Sequence, residues 1–436
     1  LSLTAHNLVA DASLIGEAQA GIYQREQAPA AGTLALTLLA GNSLPVAALP
    51  DLSFVSSRNS AGAIDIGDAL PAEVMLSTDF LSRGGFGGVA VNSKGRVIVP
   101  AEVSLDAGVN GSVSLKGRRI DVDGDIRAAG GEIALSTSVA EDKETADAAD
   151  FAINIGSGAL LDVAGLWVND LPGSGPAAST GTLALDGGTI KLSAHSDLNL
   201  AAGSVLDASG GAQVASNGKP SYGDGGAIDL SSGGFGQADV ASAMTTRIDL
   251  GGELRAYGME NGGSLNLSTS SIHLGGNPRG AVGELVLDEG FFAKGGFSTY
   301  KLTGVDGVVV EDGFTLQPKP MSAQLRADSR LTPSGANLAA VTQQIALPAD
   351  LRAPTRVELV AENFTRGDIT VGEGASIRVD PEGEVLLSAN HQLTVLGTVD
   401  AAAGRIVLKQ TELVGNEHTE IANFDPGRSI FLGSNS

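Results

Sequence analysis

Residues 111–115 read Gly-Ser-Val-Ser-Leu, and residues 131–135 read Gly-Glu-Ile-Ala-Leu, the same pattern of one glycine and a short alternating strand. Val113 and Ile133 are 20 residues apart. A fixed period of this size is typical of repeat proteins, because one such unit cannot bury its apolar face without a neighbour. The pattern returns at 188–192, 226–230, 263–267, 383–387 and 404–408.

One period divides into three short strands. Polar and apolar residues alternate at 112–115, 119–122 and 125–128. Glycines separate these stretches, and we expect them to take the positive φ that tight turns need. The side chains expected to point inward are Val113, Leu115, Ile120, Val122 and Ile126. The next coil would place Ile133 over Val113 and Leu135 over Leu115, at the ~4.8 Å spacing of neighbouring strands.

The recurring strands predict an all-β fold, a parallel β-helix (β-solenoid) with about 20-residue, three-strand rungs and loop insertions. The alternative is an antiparallel sandwich or barrel, which two hairpin-type dipeptides, Asn110-Gly111 and Asn217-Gly218, would suit. The repeated Gly-x-Ile-x-Leu pattern favours coils over hairpins. Stacked coils also leave strand edges open only at the two ends of the stack.

The periodic pattern does not cover the whole chain. Residues 1–60 are poorly periodic, and we interpret them as a leading segment or linker. The β-helix is predicted over 61–311. Acidic, small or turn-forming residues accumulate in three stretches that we interpret as loop insertions, at 138–150, 169–180 and 211–225.

The pattern is interrupted once more before it returns. Residues 312–356 contain five prolines and lose the glycine pattern. They form either an excursion across the face of the solenoid or a boundary between two stacks. One short helix at most is expected, in 337–345. Residues 357–436 are predicted to continue the β-helix.

Composition and charge limit the partners. The chain has 436 residues, with 60 glycines and no cysteine. It carries 50 acidic and 27 basic residues, a formal net charge of −23. Such a surface repels nucleic acid and anionic lipid headgroups, so both are excluded as partners. The lack of cysteine excludes disulfides, thiolate nucleophiles and cysteine-bound metals. No apolar run is long enough to predict membrane insertion.

Residues 187–193 read Gly-Gly-Thr-Ile-Lys-Leu-Ser, followed by Asp-Leu-Asn-Leu at 197–200 and Gly-Ser-Val-Leu-Asp-Ala-Ser-Gly-Gly at 203–211. This succession resembles the filamentous-haemagglutinin-like exoproteins of two-partner secretion. Residues 372–378 and 396–401 resemble rungs of the same family. The resemblance implies a secreted, right-handed parallel β-helix that is displayed on, or shed from, a Gram-negative cell surface. It also implies an outer-membrane transporter as partner during secretion.

Members of that family serve in adhesion, biofilm formation and contact-dependent toxin delivery. The family's amino-terminal secretion module and a carboxy-terminal toxin domain are not found, and the chain begins at Leu1 without methionine or signal peptide. We therefore interpret it as a piece of a longer polypeptide, the rigid extracellular shaft of a large adhesin. The expected partners are extracellular polysaccharide or a host or neighbouring cell surface, contacted without catalysis or cofactor.

Two other functions would fit the same architecture. β-Helical polysaccharide-active enzymes gather acidic residues on one face. Four aspartates recur here in or beside strands, without an evident pair: Asp162, Asp186, Asp207 and Asp229. The five histidines lie singly, and neither a Gly-x-Ser-x-Gly motif nor a phosphate loop occurs, so no catalytic residue is predicted. The other alternative is a structural filament subunit whose uncapped coils stack end to end.

Two short motifs could bind a ligand. Asp121, Asp123 and Asp125 provide the oxygen density that calcium favours, but they match neither an EF-hand loop nor the nonapeptide calcium repeat. We interpret them as solvated turn carboxylates and predict no metal site. Arg366-Gly367-Asp368 spells the tripeptide that integrins recognise, although its glycine is equally explained by a turn like that at 124–126.

Aromatic residues are scarce, and several are candidates for ligand contact. An exposed aromatic ring can stack on a sugar ring. The candidates for such contacts are Trp167, Tyr222, Tyr257, Phe235 and Phe297. Phe86, Phe235 and Phe297 each follow a Gly-Gly pair. The alternative, which we favour for these three, is that the ring fills a corner of a coil whose other residues are small.

Overall fold

A computed structural model provides the fold. The residues that it describes are 1–8, 13–18, 21, 24–25, 29–39, 50–57, 73–137, 151–174, 182–233, 246–277, 283–363, 366–410 and 428–434. Strands dominate these ranges. The helices within them are short: α1 (Asp79–Ser82), α2 (Leu338–Val341) and three 3-10 helices at Glu289–Ala293, Ser329–Leu331 and Ala349–Leu351.

The strands are numbered in chain order. Those of the first part are β1 (Ser2–Ala5), β2 (Thr33–Leu38), β3 (Asp51–Val55), β4 (Glu73–Ser77), β5 (Gly88–Asn92), β6 (Arg96–Val99), β7 (Ser104–Asp106), β8 (Ser112–Gly117), β9 (Arg119–Val122), β10 (Asp125–Arg127), β11 (Glu132–Thr137), β12 (Ile153–Ile155), β13 (Leu160–Asp162), β14 (Trp167–Asn169), β15 (Thr189–Ala194), β16 (Leu198–Leu200), β17 (Val205–Asp207), β18 (Ala212–Val214), β19 (Pro220–Tyr222), β20 (Ala227–Ser232), β21 (Ile248–Leu250) and β22 (Glu253–Arg255). Those of the second part are β23 (Gly263–Leu274), β24 (Glu284–Leu287), β25 (Phe297–Val310), β26 (Thr315–Leu316), β27 (Ser322–Leu325), β28 (Thr342–Ile345), β29 (Arg356–Ala361), β30 (Asp368–Val371), β31 (Ser376–Arg378), β32 (Glu384–Ala389), β33 (Leu393–Val395), β34 (Thr398–Asp400), β35 (Arg405–Gln410) and β36 (Ile430–Leu432).

Most strands belong to three long sheets. The main path of sheet A is β1-β2-β5-β8-β11-β15-β20-β23-β25-β29-β32-β35, with β24, β30, β33 and β36 attached to it. Sheet B has the order β21-β16-β12-β9-β6-β3-β4, and sheet C the order β22-β17-β13-β10-β7. The pairings in these sheets are parallel. From β5 to β22 the chain visits sheets A, B and C in rotation, interrupted by β14, β18 and β19, which form a small sheet of their own. The fold is therefore all-β with long parallel sheets.

The register places like side chains in columns. Ile133 pairs with Val113 and Leu135 with Leu115, as predicted. The five side chains expected to point inward in one rung are each at most 1% exposed: Val113, Leu115, Ile120, Val122 and Ile126. They belong to one apolar cluster that extends through the stack. Burial of a side chain of this size stabilises by about 1.5–3 kcal/mol, so the columns hold successive coils together.

The glycine before these strands of sheet A is required by close backbone contact. A Cβ added at Gly131 would lie 2.0 Å from the carbonyl oxygen of Gly111 in the preceding coil. A Cβ at Gly188 would lie 2.1 Å from the oxygen of Gly131, and Gly226 repeats the contact with Gly188. The expectation of positive φ is wrong at these positions, although it is confirmed at Gly130, where φ is 66°. The recurrent glycine before each strand is therefore needed because the backbones of neighbouring coils lie in contact at this position.

The rotation among the three sheets stops after β22. β21 and β22 are terminal strands of sheets B and C, whereas sheet A continues through β23. β23 has 12 residues and β25 has 14, and they pair with a register shift near Thr269. β24 pairs with the second half of β23. We call the interval between β21–β22 and β24 the break.

Residues 312–356 leave the stack and return to it. β26 pairs with β31, which also pairs with β34, and β27 and β28 form an antiparallel pair. Sheet A is continuous across this segment, since Leu302 of β25 pairs directly with Leu359 of β29. The short helix expected in 337–345 is α2.

The other non-periodic segments differ from one another. Within 1–60, β1 and β2 extend sheet A and β3 belongs to sheet B. The interpretation of 211–225 as a loop is wrong, because β18 and β19 pair antiparallel across a turn at Gly218, where φ is 80°. β14 pairs with β18 and leads into 169–180, which is described to residue 174. The insertion 138–150 lies outside the described residues.

Candidate functional site at the break

A groove with a cavity volume of about 1090 Å³ lies at the break. β21 and β22 form one side, and β24 with the 3-10 helix after it forms the other. A smaller depression of about 490 Å³ lies over the glycine corner of sheet A, where few side chains could select a ligand. We therefore take the groove as the candidate site.

The groove lies where the chain leaves β23 and comes back to run parallel to the second half of that strand as β24. Gly275 and Gly276 both have positive φ, 85° and 76°, which lets the chain turn sharply. It returns as β24 beside the second half of β23. Just before β21, Thr246 Oγ1 lies 2.7 Å from Ser270 Oγ of β23. Beyond that contact, residues of β21 and of β24 both line the cavity.

The floor of the groove is less well covered than the neighbouring core. Leu250 is only partly buried, although its partner Leu200 in the preceding coil is 1% exposed. Leu254 is 8% exposed, whereas its partner Leu206 is fully buried. Among the described residues, β21 and β22 are the last strands of sheets B and C, so no further strand of these sheets covers the two leucines. Apolar surface is therefore open to a ligand at this point of the stack.

The rim of the groove carries charges of both signs. They belong to Arg247, Asp249, Glu253, Asp288 and Lys294. Nη2 of Arg255 donates a hydrogen bond to Oε2 of Glu253 at 2.6 Å. This bond holds the pKa of Glu253 below its ordinary value, and it raises the pKa of Arg255. Both side chains therefore remain charged at neutral pH, which suits a polar ligand.

Tyr257 stands in one wall of the groove. Its ring lies so close to Gly296 that a Cβ there would be 2.5 Å from it. Burial raises the pKa of Tyr257, so its hydroxyl remains protonated at neutral pH. Phe297 lines the same wall, and its ring packs edge-on to Tyr300 with centroids 6.0 Å apart. The wall thus presents the phenol ring of Tyr257 and, nearby, the buried ring of Phe297.

A row of charged side chains crosses sheet C and ends beside the groove. In register order its members are Asp106, Arg127, Asp162, Asp207 and Arg255. Asp162 and Asp207 are direct partners on adjacent strands. Burial, with a smaller contribution from the charge of Asp207, raises the pKa of Asp162. No aspartate pair was evident from the sequence, because register joins two residues that the chain separates by 45 positions.

The other two recurring aspartates are not part of this row. Asp186 accepts a hydrogen bond from the backbone N–H of Asp224 at 2.9 Å. Asp229 lies on sheet A, where it accepts a hydrogen bond from Asn266. The four aspartates therefore divide among separate places, and only one pair of them forms.

A second polar row crosses sheet B and also ends at the groove. Nδ2 of Asn154 donates to Oδ1 of Asp121, and Nδ2 of Asn199 donates to Oδ1 of Asn154, each at 2.8 Å. The next position in register is Asp249, on the rim of the groove. This row was not predicted, because its members come from coils of different length.

The five aromatic candidates for ligand contact fall in different places. Tyr257 and Phe297 line the groove, although Phe297 is buried. Tyr222 is 40% exposed on β19, away from the groove. Trp167 is buried, its Nε1 donates to a backbone carbonyl of the excursion at 3.1 Å, and it therefore belongs to a second apolar core. Phe235 lies outside the described residues.

The three aspartates considered for calcium are engaged otherwise. Asp121 accepts hydrogen bonds from Arg96 and Arg119 and is buried beneath them, so its interpretation as a solvated carboxylate is wrong. Asp125 accepts a hydrogen bond at 3.0 Å from an arginine on its own strand. Asp123 packs against a glycine of the next coil. Among the described residues, no cluster of three or more histidine, cysteine or acidic side chains could hold a metal ion.

Arg366-Gly367-Asp368 lies at the start of β30. Nη2 of Arg366 donates to Asp306 at 3.2 Å, and Asp368 Oδ1 lies 2.6 Å from Nδ1 of His391. A Cβ at Gly367 would meet a backbone oxygen at 2.3 Å. Contacts within the fold therefore engage all three residues of the tripeptide.

Comparison with protein-family models, curated proteins and solved structures gave no match for this chain. No helix in the described ranges is long and apolar enough to cross a membrane. The sheets, the groove and the two polar rows are therefore the features of the molecule that bear on its function.

Proposed function

We propose that the chain is a right-handed parallel β-helix that serves as the rigid extracellular shaft of a large secreted bacterial adhesin. The observation that carries this proposal is the in-register main path of sheet A. Its twelve strands, spaced at ~4.8 Å, would extend over roughly 50 Å. Interior strands are hydrogen-bonded on both sides, so such a stack resists bending and can hold a binding surface away from the cell.

The proposed partner is extracellular polysaccharide or a host or neighbouring cell surface. Tyr257 offers an amphipathic ring for a sugar face, and charged rim residues offer donors and acceptors for hydroxyl groups. The net charge of −23 favours solubility of a long molecule. The proposed location is the bacterial surface or medium, reached through an outer-membrane transporter. The proposed role needs neither catalysis nor a cofactor.

A glycan array tests the polysaccharide contact. We expect the fragment to bind a subset of polysaccharides, and Tyr257→Ala to bind them about tenfold more weakly, because one stacked ring contributes up to about 1.5 kcal/mol. Tyr222→Ala is the matched control, since Tyr222 lies outside the groove. An equal loss for both variants would contradict a contact in the groove. Electron microscopy of the same fragment should show rods rather than spheres.

A polysaccharide-active enzyme is the second candidate, and the Asp162–Asp207 pair favours it. Retaining glycosidases hold two carboxyl groups about 5–5.5 Å apart, close to the spacing of adjacent strands. The raised pKa of Asp162 suits a proton donor, and Asp207 would then be the nucleophile.

A turnover assay separates the two candidates. For the shaft, we expect no reducing ends to be released from polysaccharides by the wild type, by Asp207→Asn or by Asp229→Asn. Turnover by the wild type that persists in Asp229→Asn and disappears in Asp207→Asn would replace the shaft with the enzyme. Asp229 is the matched control because it is a strand aspartate on a different sheet.

A further inference from the structure

We propose that the excursion, residues 312–356, is a clasp that holds two parts of the stack together across the break, and that the molecule bends there when the clasp opens. We call the residues before β23 the lower part and the residues after β23 the upper part. The excursion leaves the upper part, contacts the lower part and returns to the upper part. It therefore bridges the break.

The strands of the two parts are joined through one sheet. In the described ranges, β20, β23 and β25 pair in succession in sheet A, whereas sheets B and C end at β21 and β22. Beside sheet A, the N–H of Ala256 donates to the carbonyl of Gly295 at 2.7 Å. A stack whose strands continue on one side only can bend about that side, as at a hinge. Because the groove lies at the break, such bending would change its width.

Both ends of the excursion are fixed to the upper part. Near its start, β26 pairs with β31. Near its end, Nε and Nη2 of Arg352 donate to the two carboxylate oxygens of Asp380, at 2.8 and 2.7 Å. These two side chains are 11% and 4% exposed. A buried bidentate pair resists separation, because each charge would be left uncompensated. The ends of the excursion therefore stay attached to the upper part.

The middle of the excursion is bound to the lower part. β27 and β28 form its stem, and residues 326–341, between them, form its tip. The carbonyl of Thr332 in the tip accepts hydrogen bonds from Nε1 of Trp167 at 3.1 Å and from Nδ2 of Asn169 at 2.9 Å. The N–H of Gly335 donates to the carbonyl of Trp167 at 2.9 Å. Trp167 and Asn169 belong to β14, so the tip is held by a strand of the lower part.

The contact between tip and lower part contains only a small apolar cluster. Val341 of the tip packs there with Trp167, Ala212 and Val214 of the lower part, and each is at most 1% exposed. The main apolar cluster, by contrast, extends through the stack. Elements with few buried apolar contacts open locally at a lower free energy than the core does. The clasp can therefore open while the stack stays folded.

The fluorescence of Trp167 reports on the clasp, because this residue is the only tryptophan of the chain. In a urea titration of the wild type, we expect its emission to shift to longer wavelength at lower urea than the loss of strand signal in circular dichroism. The tip would expose Trp167 to water while the sheets remain folded. Coincident transitions would show that clasp and stack open together, and would overturn the proposal.

A matched pair of variants opens the clasp selectively. Val341→Asp places a charge in the small apolar cluster, so we expect quenching of Trp167 by acrylamide to rise about twofold, with unchanged strand signal. Leu331→Asp is the control, because Leu331 lies in the same tip but is 83% exposed. It should quench like the wild type. Unchanged quenching in a folded Val341→Asp, or equal increases in both variants, would contradict a clasp held by this cluster.

Spin labels measure the bending. The chain has no cysteine, so Ser104→Cys in sheet C and Arg378→Cys in β31 give one label in each part, away from sheet A. Both positions are exposed. By double electron–electron resonance we expect one narrow distance in the wild type and in Leu331→Asp. In Val341→Asp the distribution should be about twofold wider, because the parts then move relative to each other.

A narrow distance in a variant whose Trp167 is exposed would overturn the bending, since the clasp would be open and the stack still straight. If Val341→Asp does not fold, the labelled wild type decides the question. Its distance is then measured at a urea concentration that exposes Trp167 but leaves the strand signal intact. A wider distribution supports the clasp, and an unchanged one overturns it.

Discussion

The stack from β5 to β22 differs from the region that begins at β23 in the length of its strands and in how often turns interrupt them. In the stack, strands of three to six residues are separated by turns and are distributed among sheets A, B and C and the small sheet of β14, β18 and β19. β23 and β25, by contrast, continue for 12 and 14 residues. Sheet A passes through both regions, but sheets B and C end where the long strands begin. A parallel stack can therefore open a groove at its side while its main sheet stays continuous.

The two regions also differ in how completely their inward-facing apolar side chains are buried. Leu192 and Leu250 are both leucines that face the apolar interior, but Leu192 is buried in sheet A and Leu250 is only partly buried at the break. Sequence pattern alone gives the two residues the same role. Their environments differ because the strand of Leu192 pairs with a strand on each side, whereas in the described part of the chain the strand of Leu250 pairs on one side.

Truncation of these two leucines is expected to give the largest difference. Leu192→Ala should lower the free energy of unfolding by about 3–4 kcal/mol, because it leaves a cavity in a close-packed column. Leu250→Ala should cost less than about 2 kcal/mol, because the side chain is already partly exposed. Urea denaturation of both variants measures the difference. Equal losses would mean that the groove is covered in solution.

Substitution of a glycine that precedes a strand of sheet A should give the next largest loss of stability. Gly188→Ala should lower stability by about 3 kcal/mol, at the upper end of overpacking costs, because the new Cβ meets the backbone of Gly131. Gly218→Ala is the control: φ is 80° but nothing lies within 4 Å, so conformational strain alone should cost about 1–2 kcal/mol. A larger loss of stability for Gly218→Ala than for Gly188→Ala would show that backbone strain in a turn costs more than a clash between neighbouring coils.

The smallest expected effect is a pH dependence at the aspartate pair. Burial raises the pKa of Asp162 above its ordinary value of 3.8. The folded protein therefore holds this proton to higher pH than the unfolded chain does, and stability falls as pH rises from 3.8 through the folded pKa. Asp162→Asn should consequently be more stable than the wild type at pH 7, with the gain disappearing below pH 3.8.

Denaturation at pH 7 and at pH 3 measures this gain. Repeating the comparison in an Asp207→Asn background should reduce it, because the charge of Asp207 contributes to the raised pKa of Asp162. A destabilised Asp162→Asn at pH 7 would instead assign the carboxylate a net favourable role, through its hydrogen bond with the N–H of Ala164.

The candidate site was only partly predictable. Tyr257 was proposed as a ligand contact and lines the groove, whereas Trp167 was proposed and is buried by a segment about 165 residues later in the chain. The core role favoured for Phe86 and Phe297 is confirmed, since both are buried. His273 was considered only as a single histidine, yet its Nδ1 lies 2.8 Å from Glu311. Such pairs depend on coils whose insertions differ in length, which shifts the register of every later residue.

The local sequence pattern was sufficient to predict the columns of apolar side chains in the parallel sheets. The alternation in 112–115 decides which side chains face inward, and the 20-residue spacing decides that Ile133 follows Val113 in the same column. Both are properties of neighbouring residues and of coil length. Tertiary structure alone decided where sheets B and C stop and which strand edges border the groove. The reason is that strands pair with segments that are distant in the chain. Which backbone groups can bond to one another is decided only when the coils have stacked.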